Sequence, residues 1–250
     1  FAAALSGLAA RGHACDYFAS PTGAGTGTLV APFKIAAFWK VAQPGKTLCL
    51  LDGVYSGKDS MIDPPDNLKG VAGSPIAVKA LNDGKVLIHG QRWLQPIYLY
   101  RNDWFVIEGI NACCSAPSSG GDGSGVDLSG ANNNIVRRVV AWDAPLERNA
   151  IVFSAHRSTG NLFEDVAGFG TGRKIFEFSY RGDSVTVRRA WGRWEGSVQT
   201  GPKMVYSLAY NNYRTLCENC IGTWSGTKMP DKYTLLNPDL SPVKDATGNP

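Results

Sequence analysis

Two interleaved series of short apolar motifs recur through the chain at one spacing, and this period restricts the fold more than any other feature. The first series runs Ile88-His-Gly, Ile107-Glu-Gly-Ile110, Val136-Arg-Arg-Val139, Phe163-Glu-Asp-Val166, Val187-Arg-Arg-Ala190 and Cys217-Glu-Asn-Cys220. The second runs Ile76-Ala-Val78, Ile97-Tyr-Leu99, Val126-Asp-Leu128, Ile151-Val-Phe153, Phe176-Glu-Phe178 and Met204-Val-Tyr206. Both advance by about 26 residues per step. A coil that carries at least two short strands, each with alternate residues turned inward, produces this pattern, and stacked coils make a β-solenoid. Leucine-rich repeats have a similar period but need a regular leucine and asparagine pattern that is absent, and a propeller blade needs a longer repeat.

Coils stacked about 4.8 Å apart place equivalent residues in columns. The outward column of the first series reads Glu108, Arg137, Glu164, Arg188, Glu218, which predicts a surface ion-pair ladder with each charge between two opposite ones. Ser129, Ser154, Ser179 and Ser207 close the strands of the second series and predict a hydroxyl ladder at a corner. Trp142, Phe169, Trp191, Trp194 and Trp224 cluster after the first series, where packing against turns is preferred over sugar stacking.

A chain of 250 residues with 29 glycines and no long amphipathic stretch suits one all-β domain. Its net charge of +4 supports neither nucleic acid nor an anionic membrane as partner and leaves room for weak attraction to acidic glycans. The small, apolar opening, residues 1–14, ends before Cys15 and fits the remnant of a secretory signal peptide, which predicts a secreted or extracytoplasmic protein (periplasm or cell surface); lipidation of Cys15 is the weaker alternative. The Thr247-Gly-Asn-Pro250 ending suits a C-terminally truncated β-helix domain over 15–250, and no other segment could span a membrane. Export would permit disulfides among the 6 cysteines, with connectivity open; Cys217-Glu-Asn-Cys220 reads as core cysteines in preference to half a zinc site.

The stretch Asp16-Tyr-Phe-Ala-Ser-Pro-Thr-Gly23, then Gly27-Thr-Leu-Val-Ala-Pro-Phe33, then Ala42-Gln-Pro-Gly45 onward to Tyr55, resembles the opening of right-handed parallel β-helix proteins of the pectate-lyase-like superfamily. The resemblance implies a single-stranded right-handed parallel β-helix with an entry strand and an N-terminal capping helix. Independently, Pro32 suits a helix start, Phe33, Ala36, Ala37 and Val41 can share one face, and Pro44-Gly45 is a stop. Members of the superfamily are often polysaccharide lyases or glycoside hydrolases, while others are adhesins or tailspike-like proteins, and fold alone does not choose among them. The paired-aspartate, Gly-His-Gly and Arg-Ile-Lys motifs of polygalacturonase-type hydrolases are absent.

A lyase acting on uronic acids needs a base for the proton beside the sugar carboxylate and cations to neutralise that carboxylate. Lys174, Arg181 and Arg157 are the catalytic candidates, with Arg101, His156, Lys203 and Trp194 as substrate-binding candidates. Asp122 and Asp127, in a glycine-rich segment, are candidate calcium ligands, although a flexible insertion between coils explains the same residues. The expected function is therefore engagement of acidic polysaccharide along a lateral groove, by a lyase or by a non-catalytic adhesive or structural solenoid.

Overall fold

The computed structural model describes residues 14–91, 94–115, 123–146, 149–197 and 202–226. The signal-like residues 1–13 and the C-terminal residues 227–250 lie outside the described residues.

The described residues form an all-β parallel solenoid of three sheets. The chain runs through a strand of sheet 1, a strand of sheet 2 and, from the coil that begins with the third strand of sheet 1 onward, a strand of sheet 3. Sheet 1 stacks 8 strands from Tyr17–Ala19 to Leu216–Glu218, and sheet 2 stacks 7 from Gly53–Ser56 to Ile221–Trp224. Sheet 3 stacks 5: Ile97–Tyr100, Ser124–Ser129, Ile151–His156, Lys174–Ser179 and Met204–Ala209. Among the described residues no helix is long and apolar enough to cross a membrane.

From Ile107 on, the first sequence series is one inward column of sheet 1, in which Ile107, Val136, Phe163, Val187 and Cys217 lie in register. Its remaining member, Ile88, belongs to sheet 2, and the sheet 1 position is held by Val78, which the sequence reading placed in the second series. The second series is sheet 3 with a slip: the observed column is Val126, Phe153, Phe176, Tyr206. Side chains alternate with period two, so a two-residue slip preserves the alternation and leaves no trace in the hydrophobic pattern. The slip also dissolves the expected serine ladder. Ser154 and Ser207 share a column with Asp127 and Glu177, whereas Ser129 and Ser179 flank His156 in the next column.

Inside, the sheets compensate one another in volume. Phe153, Phe176 and Tyr206 stack with ring centroids 5.0 and 4.9 Å apart, and facing sheet 2 thins to Gly168 and Gly192. A Cβ at Gly168 would lie 2.7 Å from Ile175 Cγ2, and one at Gly192 would lie 2.3 Å from Val205 Cγ1. Close packing leaves no room for both the rings and a methyl group.

Outside, Arg137 pairs with Glu108 at 2.6 Å and Arg188 with Glu164 at 2.7 Å. Arg138 and Arg189 reach the same glutamates from the following corner and also bond Asp83 and Asp165. The ladder is thus built from pairs to the preceding coil, reinforced by a second arginine.

The expected N-terminal helix is a single turn, Ile35–Phe38, and its inward residues are Ile35 and Phe38. Phe33 is buried before the helix begins, in a bridge to Ala19, and Val41 is 37% exposed. Tyr17, Phe38, Trp39 and Phe105 form a chain of ring contacts over the first coils. Three disulfides form: Cys15–Cys49, Cys113–Cys114 and Cys217–Cys220. Cys15 is therefore not available for lipid, and Cys217 is an exposed disulfide partner on the last described coil instead of a core thiol.

Three buried asparagines fasten the corner between sheets 3 and 1. Asn134 Oδ1 accepts from Phe105 N–H at 2.8 Å while its Nδ2 donates to the Asn102 carbonyl at 3.0 Å, and Asn161 Oδ1 accepts from Asn134 N–H at 2.9 Å. Asn134→Ala strands a buried donor and a buried acceptor, and we expect a loss of about 2–5 kcal/mol in denaturant unfolding. An unchanged midpoint would show that the corner does not depend on it.

Candidate functional site

Sheet 3 presents its outer face as two columns. One reads Tyr98, Asp127, Ser154, Glu177, Ser207, and the other Tyr100, Ser129, His156, Ser179, Ala209. The residue after each strand opens the corner: Arg101, Gly130, Arg157, Tyr180 and Tyr210, with φ of 58°, 63°, 51°, 57° and 53°. Backbone N–H groups of Arg101, Gly130 and Arg157 donate to the carbonyls of Ser129, His156 and Ser179 in the next coil. The left-handed backbone belongs to the architecture and not to a site, because Gly109, Arg138, Asp165, Arg189 and Asn219 turn the corner after sheet 1 in the same way.

A cavity of about 340 Å³ runs along this corner, lined by Tyr98, Tyr100, Arg101, His156, Arg157 and Tyr180 among others. A second, of about 500 Å³, shares Arg157 and Tyr180 and continues past Arg181 and Tyr210. Together they make one lateral groove walled by phenol rings and guanidinium groups. Tyr98 stacks on Tyr100 at 6.0 Å and Tyr180 on Tyr210 at 4.6 Å. Arg101 lies 4.9 Å from the Tyr100 ring centre and Arg157 5.8 Å from that of Tyr180. Each guanidinium group thus lies within cation–π range of a phenol ring.

A charged network lies behind the wall. The Lys174 ammonium bonds Glu177, both side chains being almost fully buried, and His156 Nε2 stands 3.6 Å from Glu177 Oε2. Burial pushes Glu177 up, but His156 and Lys174 outweigh it and hold the carboxyl below its ordinary value. Asp127, two coils away in the same column, moves the other way: burial raises it, and neither His156 nor the Ser129 hydroxyl at 2.8 Å reverses the shift. One column therefore holds one carboxyl whose pKa is lowered and one whose pKa is raised.

The structure brings Arg101, His156, Arg157 and Arg181 together along the groove. Lys174 is 5% exposed and sits behind it. Lys203 precedes Met204 at the other end of its strand, where burial and nearby Arg173 lower its pKa. Trp194 is 3% exposed in the core, its indole N–H donating to the Gly172 carbonyl at 2.9 Å. Asp122 lies outside the described residues, whereas Asp127 belongs to a strand and not to a flexible loop. Sequence reasoning missed Tyr98, Tyr100, Tyr180, Tyr210 and Glu177. The signal was present, since each tyrosine occupies the strand-end or outward position of its coil and Glu177 lies between the core residues Phe176 and Phe178.

Calcium needs six or more oxygen ligands. Among the described residues no carboxylate cluster gathers around Asp127, and burial disfavours its charged form.

No protein-family model and no curated protein matches the sequence. Solved structures match in fold. A pectate lyase, Pel9A, superposes with a TM-score of 0.52 at 18% identity over 73% of this chain and 55% of that one. A rhamnogalacturonan lyase superposes with a TM-score of 0.50 at 14% identity over 88% of this chain and 65% of that one. The chain thus spans less than two thirds of either structure.

Two predictions concern the network. Lys174→Met leaves Glu177 buried without its partner and should cost about 3–5 kcal/mol, while Lys174→Met with Glu177→Leu should recover much of it; equal losses in both variants would deny the coupling. Asp127 holds its proton more tightly folded than unfolded, so its contribution to stability falls as pH rises from its ordinary value through the raised one. Asp127→Asn should remove that fall and leave the protein more stable at neutral pH, as read by denaturation across the acidic range. An unaltered pH profile would contradict the burial argument.

Proposed function

We propose, on the premise of a pectate-lyase-like parallel β-helix, that this chain binds an acidic polysaccharide in the sheet 3 groove and cleaves it by β-elimination. The observation that carries the reading is the alignment of Arg101, Arg157 and Arg181 with Tyr98, Tyr100, Tyr180 and Tyr210 along one corner. Tyrosine faces suit the apolar faces of sugar rings, and guanidinium edges suit carboxylates in bidentate contact. The fold likeness to a pectate lyase and a rhamnogalacturonan lyase supports polysaccharide as the ligand class. Three disulfides suit an oxidising compartment, which supports export.

Cleavage needs a base at the carbon beside the uronate carboxylate. His156 is the base in this reading because it lines the groove and keeps about a quarter of its side chain, 24%, exposed. Glu177 behind it orients the ring and favours the imidazolium that forms after proton transfer. Arg157, in the next position, neutralises the carboxylate and stabilises charge as the carbanion develops. Lys174 acts as a positioning residue that keeps Glu177 ionised.

The test is incubation with pectate, alginate and glycosaminoglycans while following ultraviolet absorbance from unsaturated ends. His156→Ala should lower kcat by roughly 10²–10⁴-fold with binding retained, and Arg157→Ala should weaken binding roughly tenfold or more through loss of a charged hydrogen bond. Binding without turnover in the unaltered protein would leave a glycan-binding solenoid and refute the catalytic part. No binding across the panel would refute the whole reading.

A further inference from the structure

We propose that His89, Cys113 and Cys114 form a site for a thiophilic divalent metal ion, closed by the Cys113–Cys114 disulfide and opened by its reduction. The site lies after sheet 2, away from the groove residues. His89 and Cys113 are register partners on the outer face of that sheet, and Cys114 follows at the corner with φ 63°. One ring nitrogen of His89 and the two Sγ atoms all lie within 4.8 Å of one another, and they are the one such group of three ligand-bearing residues among the described residues.

A second observation points the same way. His89 Nδ1 is buried without a hydrogen-bond partner, although a buried imidazole nitrogen normally has one. Gln95 Oε1 and Ser115 Oγ, at the same turn, are also buried and unpartnered. A Cβ built on Gly90, beside His89, would meet the Ser115 Cα at 3.0 Å and the Leu94 carbonyl at 2.7 Å, so the backbone of this turn closes tightly around the three ligands.

The chemistry balances simply. A dithiol or phosphine reductant supplies two electrons and the S–S bond breaks; a dithiol gives up its two protons to the sulfurs and becomes a disulfide, whereas with a phosphine one water supplies both protons and the oxygen of the phosphine oxide. The metal then displaces both thiol protons to solvent and binds two thiolates and one neutral imidazole, leaving a fourth position to water or a neighbouring oxygen. Two thiolates and one imidazole suit zinc and its heavier analogue cadmium. In the disulfide state the sulfurs carry no charge and the set cannot close on a cation.

The test uses the full chain carrying Cys15→Ser, Cys49→Ser, Cys217→Ser and Cys220→Ser, since those two pairs would themselves chelate after reduction. The reduced protein, with thiols counted and fold checked by circular dichroism, is titrated with cadmium and read by thiolate-to-metal absorption. One equivalent should bind, and none should bind before reduction. His89→Gln should weaken binding roughly tenfold or more, and Cys113→Ser with Cys114→Ser should abolish the absorption. Unchanged affinity in His89→Gln, absorption that survives loss of Cys113 and Cys114, or no uptake by the reduced folded chain would overturn the proposal. If full reduction unfolds the chain, the same chain purified from a reducing cytoplasm grown with zinc is assayed for metal: one zinc per chain supports the site and none overturns it.

Discussion

Each coil of this protein hydrogen-bonds its backbone to the coils on either side in parallel register, and the remaining features depend on that constraint. Strands spaced about 4.8 Å apart turn a linear repeat into vertical columns. Inward columns must then fill one continuous core, so growth in one sheet is matched by loss in another. Phe153 and Phe176 are admitted because Gly168 and Gly192 stand where larger residues would collide with the sheet 3 side chains. Outward columns face a different requirement, because a charge is repeated at short range by its neighbours. The pairs Arg137–Glu108 and Arg188–Glu164 answer it in sheet 1.

The same constraint builds the groove. A coil corner that turns through left-handed backbone repeats that turn from coil to coil, so Arg101, Arg157, Tyr180 and Tyr210 project from one edge. Behind them sheet 3 departs from the economy of the other two sheets. Asp127, Lys174 and Glu177 are buried charge-bearing residues, and burying ionisable groups is costly unless they are paired or neutralised. Lys174 and Glu177 take the first route, while burial raises the pKa of Asp127. Apolar or small polar residues would serve a purely structural sheet at lower cost, and this departure from local economy is what singles out the face proposed as the site.

Most of the architecture was legible in the sequence because periodicity survives substitution. A repeat of core triplets is a sum over many residues, and it located the coils, sheet 1 from Ile107 on, and the ion-pair ladder. Register was less legible. Apolar residues at Ile151, Phe153, Met204 and Tyr206 fit the inner face in either of two alignments, and only the backbone ladder distinguishes them. Sheet 2 escaped notice because its inward column dwindles to Ala112, Ala141, Gly168 and Gly192, which carry no hydrophobic signal. The arginines and His156 were visible as turn residues, but their grouping with Glu177 and the tyrosines follows from columns that the slipped register had mixed. The helical turn at Ile35–Phe38 is shorter than its pattern suggested, since Phe33 is held by the bridge to Ala19 before the helix begins.

The groove runs along the solenoid, so the proposed polysaccharide would lie across several coils. The most direct test is calorimetric binding of purified uronate oligosaccharides of increasing length to the intact chain. Three coil steps separate Arg101 from Arg181, about 14 Å along the axis. Affinity should climb with each added sugar until the oligomer spans that distance and then level off. Binding that is independent of length, or absent for every uronate tested, would contradict the account.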